Sequence, residues 1–124
     1  MIFLKHCLGI IFAFALLSCT SRTSLSDLKI DKETSFVYCD GKAFTGTAWS
    51  SDGKTISLSC HNGVVDSLTA YHANGVKAVQ CITLWEAGSF YDAEGRPISD
   101  EDFVKLYPDL VEQIAALSYE IEGL

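Results

Sequence analysis

Trp49-Ser50-Ser51-Asp52-Gly53, Tyr71-His72-Ala73-Asn74-Gly75 and Tyr91-Asp92-Ala93-Glu94-Gly95 are three copies of one phrase. Each runs aromatic, two variable positions, an acid or amide, then glycine. Two further turn pairs, Asp40-Gly41 and Asn62-Gly63, lie in the same stretch from Tyr38 to Ile98. Gly41 to Gly63 spans 22 positions, as does Gly53 to Gly75, and Gly75 to Gly95 spans 20. A fixed period of this size marks an array of one small supersecondary unit.

Asp-Gly and Asn-Gly between apolar-alternating runs are the strongest short-range hairpin signal, because a two-residue type I′ turn needs positive φ at both central positions. With Asp52-Gly53 as the tip, Trp49 falls opposite Ile56, Thr47 opposite Leu58 and Thr45 opposite Cys60. These six share an apolar face, and Gly46, Ala48, Ser50, Thr55, Ser57 and Ser59 form a small, polar, wet one. A strict tip at Asn74-Gly75 puts Leu68, Ala70, Val79 and Cys81 on one face but Tyr71 and Ile82 on the other. Either the turn is longer, or a bulge shifts the register, or both faces are partly covered. At Glu94-Gly95 the best turn residue is missing and Pro97 follows. Proline cannot donate to a ladder, so an edge or short exit strand is expected there.

These residues resemble the variant MORN-type (membrane occupation and recognition nexus) repeat of bacteria, a β-hairpin unit with an aromatic-x-x-Asn-Gly-Lys phrase. Asp52-Gly53-Lys54 fits it. Asn74-Gly75-Val76 lacks the basic residue, and Glu94-Gly95-Arg96 lacks the amide. Asp40-Gly41-Lys42 with Gly46 resembles the intervening family phrase, which is degraded around Asn62-Gly63 and hinted at by Trp85-Glu86-Ala87-Gly88. The resemblance covers about half the chain and implies a fold and a style of binding more than an activity. Some bacterial proteins with such repeats are labelled antitoxins of a toxin–antitoxin pair, and many are lipoproteins.

The chain has 124 residues, enough for one domain. Its net charge is −7, and without Lys5 of the leader 8 basic residues face 16 acidic ones. That balance argues against a nucleic-acid partner, which needs a basic footprint.

Residues 1–18 read as an export signal. Met1 to His6 is a short, weakly basic start, and Leu8 to Leu17 is an apolar run too short to span a bilayer. It ends in Leu16-Leu17-Ser18-Cys19, which resembles the lipobox of bacterial lipoproteins. The resemblance implies cleavage between Ser18 and Cys19, a diacylglyceryl group on the Cys19 sulfur and acylation of the freed amine. Several acyl chains together hold a protein on a membrane where one alone is marginal. The expected place is the cell envelope, lipid-anchored. Thr20 is not aspartate, which by the enteric sorting rule sends the protein to the periplasmic face of an outer membrane in a Gram-negative cell. Residues 19–34 read as the lipidated cysteine and a tether, Thr20 to Ser26 being rich in serine and threonine. In that segment Leu28 and Ile30 alternate, as in a first edge strand or plain linker.

Residues 35–98 hold the hairpin array, with Phe36, Val37 and Tyr38 in its first strand. Ser99-Asp100-Glu101-Asp102 opens a helical segment over 99–124, with Ser99 as its cap and the acids at the positive end of the dipole. Pro108 begins a second helix, whose apolar stripe of Leu110, Val111, Ile114, Leu117 and Ile121 is expected to cover the oily side of the sheet. The fold class is therefore mainly β with C-terminal helices, an α+β arrangement in which an antiparallel hairpin array is covered by one or two helices.

Cys39, Cys60 and Cys81 remain once Cys7 and Cys19 are assigned to the leader and the lipid. Three thiols in an oxidising envelope leave one disulfide or none, with Cys60 and Cys81 the preferred pair. No Cys-x-x-Cys is present and His61 has no second ligand at useful spacing, so no metal is expected. No cofactor is expected either. Nucleophile-elbow, His-Glu-x-x-His and phosphate-cradling motifs are missing, which argues against an enzyme; a small envelope hydrolase is the distant alternative.

Two functional classes follow. One is a non-catalytic binding or scaffold module that presents a polar face and aromatics to an envelope protein or polymer. Tyr71, Trp85 and Tyr91 are the candidate anchors, while Trp49 is assigned to the core. The other, suggested only by family labels, is an antitoxin-like inhibitor of a partner toxin. The leader weighs against it.

Overall fold

The structure, a computed structural model, describes residues 22–82 and 88–123. The leader, Ser18, Cys19 and Trp85 lie outside the described residues. The described chain forms two sheets and two C-terminal helices. The strands are β1 (Thr23–Ser24), β2 (Leu28–Ile30), β3 (Val37–Cys39), β4 (Lys42–Ala43), β5 (Gly46–Trp49), β6 (Ile56–His61), β7 (Val64–Tyr71), β8 (Lys77–Cys81), β9 (Ser89–Tyr91) and β10 (Pro97–Ile98). The helices are α1 (Asp100–Leu106) and α2 (Pro108–Ser118). The larger sheet has the order β1-β5-β6-β7-β8-β9-β10, and the smaller β2-β3-β4. From β5 to β10 each strand pairs antiparallel with the next in the chain, while β1 lies parallel to β5.

The two-residue turn rule applies at Asp40-Gly41 and Asn62-Gly63. There φ is 54° and 78°, and 49° and 84°, and the flanking pairs Cys39↔Lys42 and His61↔Val64 close directly on the tip. It does not apply at Asp52-Gly53, where the loop closes only at Ser50, whose amide donates to the Ile56 carbonyl at 2.9 Å. The register is therefore one residue from the expected one: Ala48 faces Leu58 and Trp49 faces Ser57. A one-residue slip turns every side chain of a strand over. Ala48 is consequently in the core and Trp49 is on the opposite face, which corrects its assignment to the core. In the second hairpin two of the three alternatives, the longer turn and the bulge, occur together. The loop runs from His72 to Val76, and a bulge sits between Ala70 and Tyr71, while Leu68↔Cys81 and Ala70↔Val79 keep their shared face.

Residues from both sheets meet in one core. Leu25, Leu28, Ile30, Val37 and Phe44 come from the first part of the chain, and Ala48, Ile56, Leu58, Cys60 and Ala70 from the larger sheet. Ile114 and Leu117 of α2 and Ile121 just beyond it close this cluster. The core thus begins well before residue 35. Leu25 is fully buried, inside a short 3-10 turn that Ser24 caps by accepting from the Ser26 amide. This corrects the expected tether of residues 19–34, because the chain from Arg22 onward belongs to the domain. The C-terminal end returns beside β2, with the Ile30 amide on the Glu122 carbonyl at 2.8 Å.

Ser99 caps α1 by accepting from the Asp102 amide at 3.1 Å, and Pro108 opens α2, where its missing N–H costs nothing. Phe103 of α1 is 1 % exposed and sits 5.2 Å from the Phe90 ring of β9.

The Cys60–Cys81 bridge is not formed. Cys39, Cys60 and Cys81 are free thiols. Cys60 is in β6 and Cys81 in β8, with β7 hydrogen-bonded between them. Strands two apart in a sheet are about 10 Å from one another, and a disulfide tolerates no more than about 7 Å between Cα atoms.

Candidate functional site

The three aromatic phrases fold into turns with one bonding pattern. The Gly53 amide donates to the Ser50 carbonyl at 2.7 Å, Gly75 to His72 at 2.8 Å and Gly95 to Asp92 at 2.9 Å. In the second and third copies the loop closes one step later in the same way: the His72 amide meets the Val76 carbonyl at 2.8 Å, and the Asp92 amide meets Arg96 at 2.9 Å. Side-chain oxygens take the amides that the turns leave free. Asn74 Oδ1 accepts from Val76 at 3.0 Å, and Asp92 Oδ1 from Glu94 and Arg96 at 2.9 Å each. Asp52 Oδ1 accepts from the Lys54 and Thr55 amides at 3.1 and 3.0 Å and from Ser50 Oγ at 2.7 Å. The Thr55 hydroxyl donates to its other oxygen.

These bonds set the electrostatics of the two acids. Burial pushes the Asp52 carboxyl up, but the Thr55 and Ser50 hydroxyls and the Lys54 and Thr55 amides outweigh it and hold the group well below the usual carboxylate range. For Asp92 the Arg96 amide acts first; burial opposes it, and the Arg96 guanidinium and Glu94 amide keep the carboxyl low. Both acids are saturated acceptors inside turns. Neither is poised to move a proton.

The aromatic positions give the larger sheet a distinct open face. Opposite the core side, β5 and β6 present Thr47, Trp49, Ser57 and Ser59 by strict alternation. The Trp49 and Tyr71 rings stack across Ser57, 5.7 Å apart and inclined by 22°. Arg22 lies over the Trp49 ring at 4.3 Å and donates from Nη1 to the Gly53 carbonyl at 2.8 Å. Hydroxyl pairs fill the space between: Thr47 with Ser59 at 3.0 Å, and Ser57 with Tyr71 at 3.3 Å. Tyr91 is on the same face by alternation with Phe90. The structure thus brings Tyr71 together with Trp49 and places Tyr91 two strands further on. Arg22, in the expected tether, carries no sequence signal that would have added it to this group.

A second feature lies where the turns meet the helices. A cleft of about 520 Å³, open to solvent on one side, lies between the three turns and the α1–α2 junction. His72 forms part of its lining and is 7 % exposed. Its Nε2 lies 2.8 Å from the Tyr91 carbonyl, and its ring meets Tyr107 edge-on at 4.6 Å. The Tyr107 hydroxyl in turn accepts from the Ala93 amide at 2.9 Å. Only the position of His72, just after an aromatic of the phrase, could have pointed to it. Among the described residues no group of three His, Cys, Asp or Glu side chains is placed to hold a metal ion. His61 is exposed, with its Nε2 3.3 Å from Asn62 Nδ2.

Among the described residues no helix is long and apolar enough to cross a membrane. Comparison with protein families, with curated proteins and with solved structures finds no match to this chain.

Proposed function

We propose that the chain is a lipid-anchored protein of the bacterial cell envelope, and that its hairpin repeats act as a non-catalytic binding module. The observation that carries the binding half is the stacked Trp49–Tyr71 pair on the open face of the larger sheet. Rigid aromatic area of this kind, bordered by hydroxyls, supplies contact surface at low entropic cost and typifies binding anchors. The shared bonding of the Gly53, Gly75 and Gly95 turns supports a reading of the stretch as three copies of one unit. The anchor half rests on the Leu16-Leu17-Ser18-Cys19 sequence after an apolar run. Its partner is an envelope protein or polymer reached from the membrane surface.

One preparation tests both halves. The protein is recovered from native envelopes with bound material, and its intact mass is measured. Lipid mass on a chain beginning at Cys19 is expected; an unmodified leader would remove the anchor. Trp49→Ala with Tyr71→Ala is expected to lose an envelope component retained by the parent while the domain still folds by circular dichroism. Retention of the same component by the double variant would remove the aromatic face from the account.

A further inference from the structure

The open face of the larger sheet differs in charge from the chain as a whole. The chain carries 16 acidic and 9 basic residues, yet no acid of β5 to β9 alternates onto this face. β7 adds Ser67 and Thr69 to the hydroxyls of β5 and β6, β8 adds Gln80 and β9 adds Ser89. Asp66 is the only acid within these strands. It is the extra residue of the bulge opposite Ser59 and Cys60, and its charge acts on Cys60, a core residue.

Two cations border the aromatic pair. Arg22 lies over the Trp49 ring at 4.3 Å, with Nη1 on the Gly53 carbonyl at 2.8 Å. Lys77 is paired opposite Tyr71, with Nζ on Gln80 Oε1 at 2.8 Å. Both are held by neutral groups, and among the described residues neither forms an ion pair. Acids near the strand ends are occupied elsewhere. Asp52 accepts from Ser50, Lys54, Thr55 and Gln113 of α2, Glu120 accepts from Ser51, and Asp27 accepts from the Ser24 amide. A guanidinium already fixed in place needs little further ordering when a carboxylate arrives. Its remaining N–H groups form the fork that a carboxylate takes bidentately.

We propose that this face binds an extended acidic peptide, with one carboxylate on Arg22, another on Lys77 and an uncharged side chain over the rings between them. The inference rests on the reading of Trp49 and Tyr71 as binding anchors. Trp49, under Arg22, is in β5 and Lys77 is in β8, three strand intervals away or about 14 Å. An extended peptide rises about 3.4 Å per residue and alternate side chains share a face. Acids four residues apart therefore match the span, and the residue midway between them points the same way. The hydroxyl pairs Thr47–Ser59 and Ser57–Tyr71 each spend one of their two hydrogens on each other, which leaves the second for a peptide carbonyl. Two separate cations suit two separate carboxylates; an anionic lipid surface calls for a cluster of basic residues.

The test is a titration of the full-length ¹⁵N-labelled chain with acetyl-Glu-Thr-Tyr-Thr-Glu-amide, with its Gln-Thr-Tyr-Thr-Gln counterpart, and with phosphatidylglycerol-containing vesicles. The glutamate peptide is expected to shift the Arg22 Nε, Trp49 indole and Lys77 amide signals, and to do so less at high salt. Arg22→Gln and Lys77→Gln, both at exposed positions, are each expected to weaken it about two- to fivefold, the size of one exposed ion pair. The glutamine peptide, which lacks both pairs, is expected to bind about tenfold more weakly. Silence with both peptides, equal binding of the two, shifts confined to other residues, or binding untouched by either variant would each overturn the proposal. Shifts at Arg22 and Lys77 with vesicles alone would assign the cations to lipid and overturn it too. An envelope component lost with Trp49→Ala and Tyr71→Ala but kept by Arg22→Gln with Lys77→Gln would leave the aromatic anchors standing and overturn the acidic partner alone.

Discussion

Asn74 Nδ2 donates to the Ala93 carbonyl at 2.9 Å, so the second turn is fastened to the third across the sheet end. The same side chain uses Oδ1 to close its own turn on the Val76 amide. Asn74→Asp keeps the second bond and replaces the first with a carboxylate facing a carbonyl. A loss of about 1 to 2 kcal/mol is expected in denaturant unfolding. If Asn74→Asp is as stable as the parent, the two turns are not coupled through this bond.

Asp52 makes the native state acid-sensitive. Its carboxyl is lower when folded than when unfolded, so the folded state binds fewer protons. The stabilisation is complete above the unfolded value near 3.8 and falls away as pH drops below it. Asp52→Ala is expected to cost about 1 to 2 kcal/mol at neutral pH and to flatten the acid limb of a melting-temperature profile. An unchanged acid limb would mean that other groups govern it.

Cys60 gives the opposite limb. Burial first, then the nearby Asp66 charge, pushes its thiol up to about 11 from 9.0. The stabilisation is complete below 9 and disappears as pH climbs toward about 11. Cys60→Ala is expected to remove that alkaline loss. In the native protein at neutral pH, Cys60 is expected to resist iodoacetamide, being 4 % exposed and protonated. Peptide mass mapping without reductant would reveal any Cys60–Cys81 linkage, which this topology forbids.

Leu58 and Val64 differ in environment although both are apolar strand residues. Leu58 is fully buried opposite Ala48 and Leu68, whereas Val64 is 51 % exposed. Leu58→Ala is expected to cost about 2 to 5 kcal/mol and Val64→Ala under about 1 kcal/mol. Equal costs, read from urea midpoints, would place the core elsewhere.

Much of this fold was legible because its signals are local. Asp40-Gly41 and Asn62-Gly63 make the tight turns that their residues demand, Ser99 caps a helix, and Pro108 starts another. The register of β5 was not legible, because Asp52 spends its oxygens on Thr55 and Lys54 and widens a loop that looks tight in sequence. One residue of slip then reverses a whole strand, sending Trp49 outward. The first core residues were hidden for a different reason. Leu25 is isolated among serines and threonines, and its burial depends on a pairing of β1 with β5 that no nearby pattern announces. The cleft is more distant still, since His72, Tyr107 and Gln113 belong to three elements that only tertiary packing assembles.

Arg22 has a geometric consequence for any anchored form of the protein. Its guanidinium is pinned both to Trp49 and to the Gly53 carbonyl, which fixes the first described residue beside the aromatic face. Cys19 is three residues earlier, a leash of about 10 Å at full stretch. Were Cys19 lipidated as proposed, so short a connection would leave the domain little freedom to tumble and would restrict the orientations it shows to its surroundings.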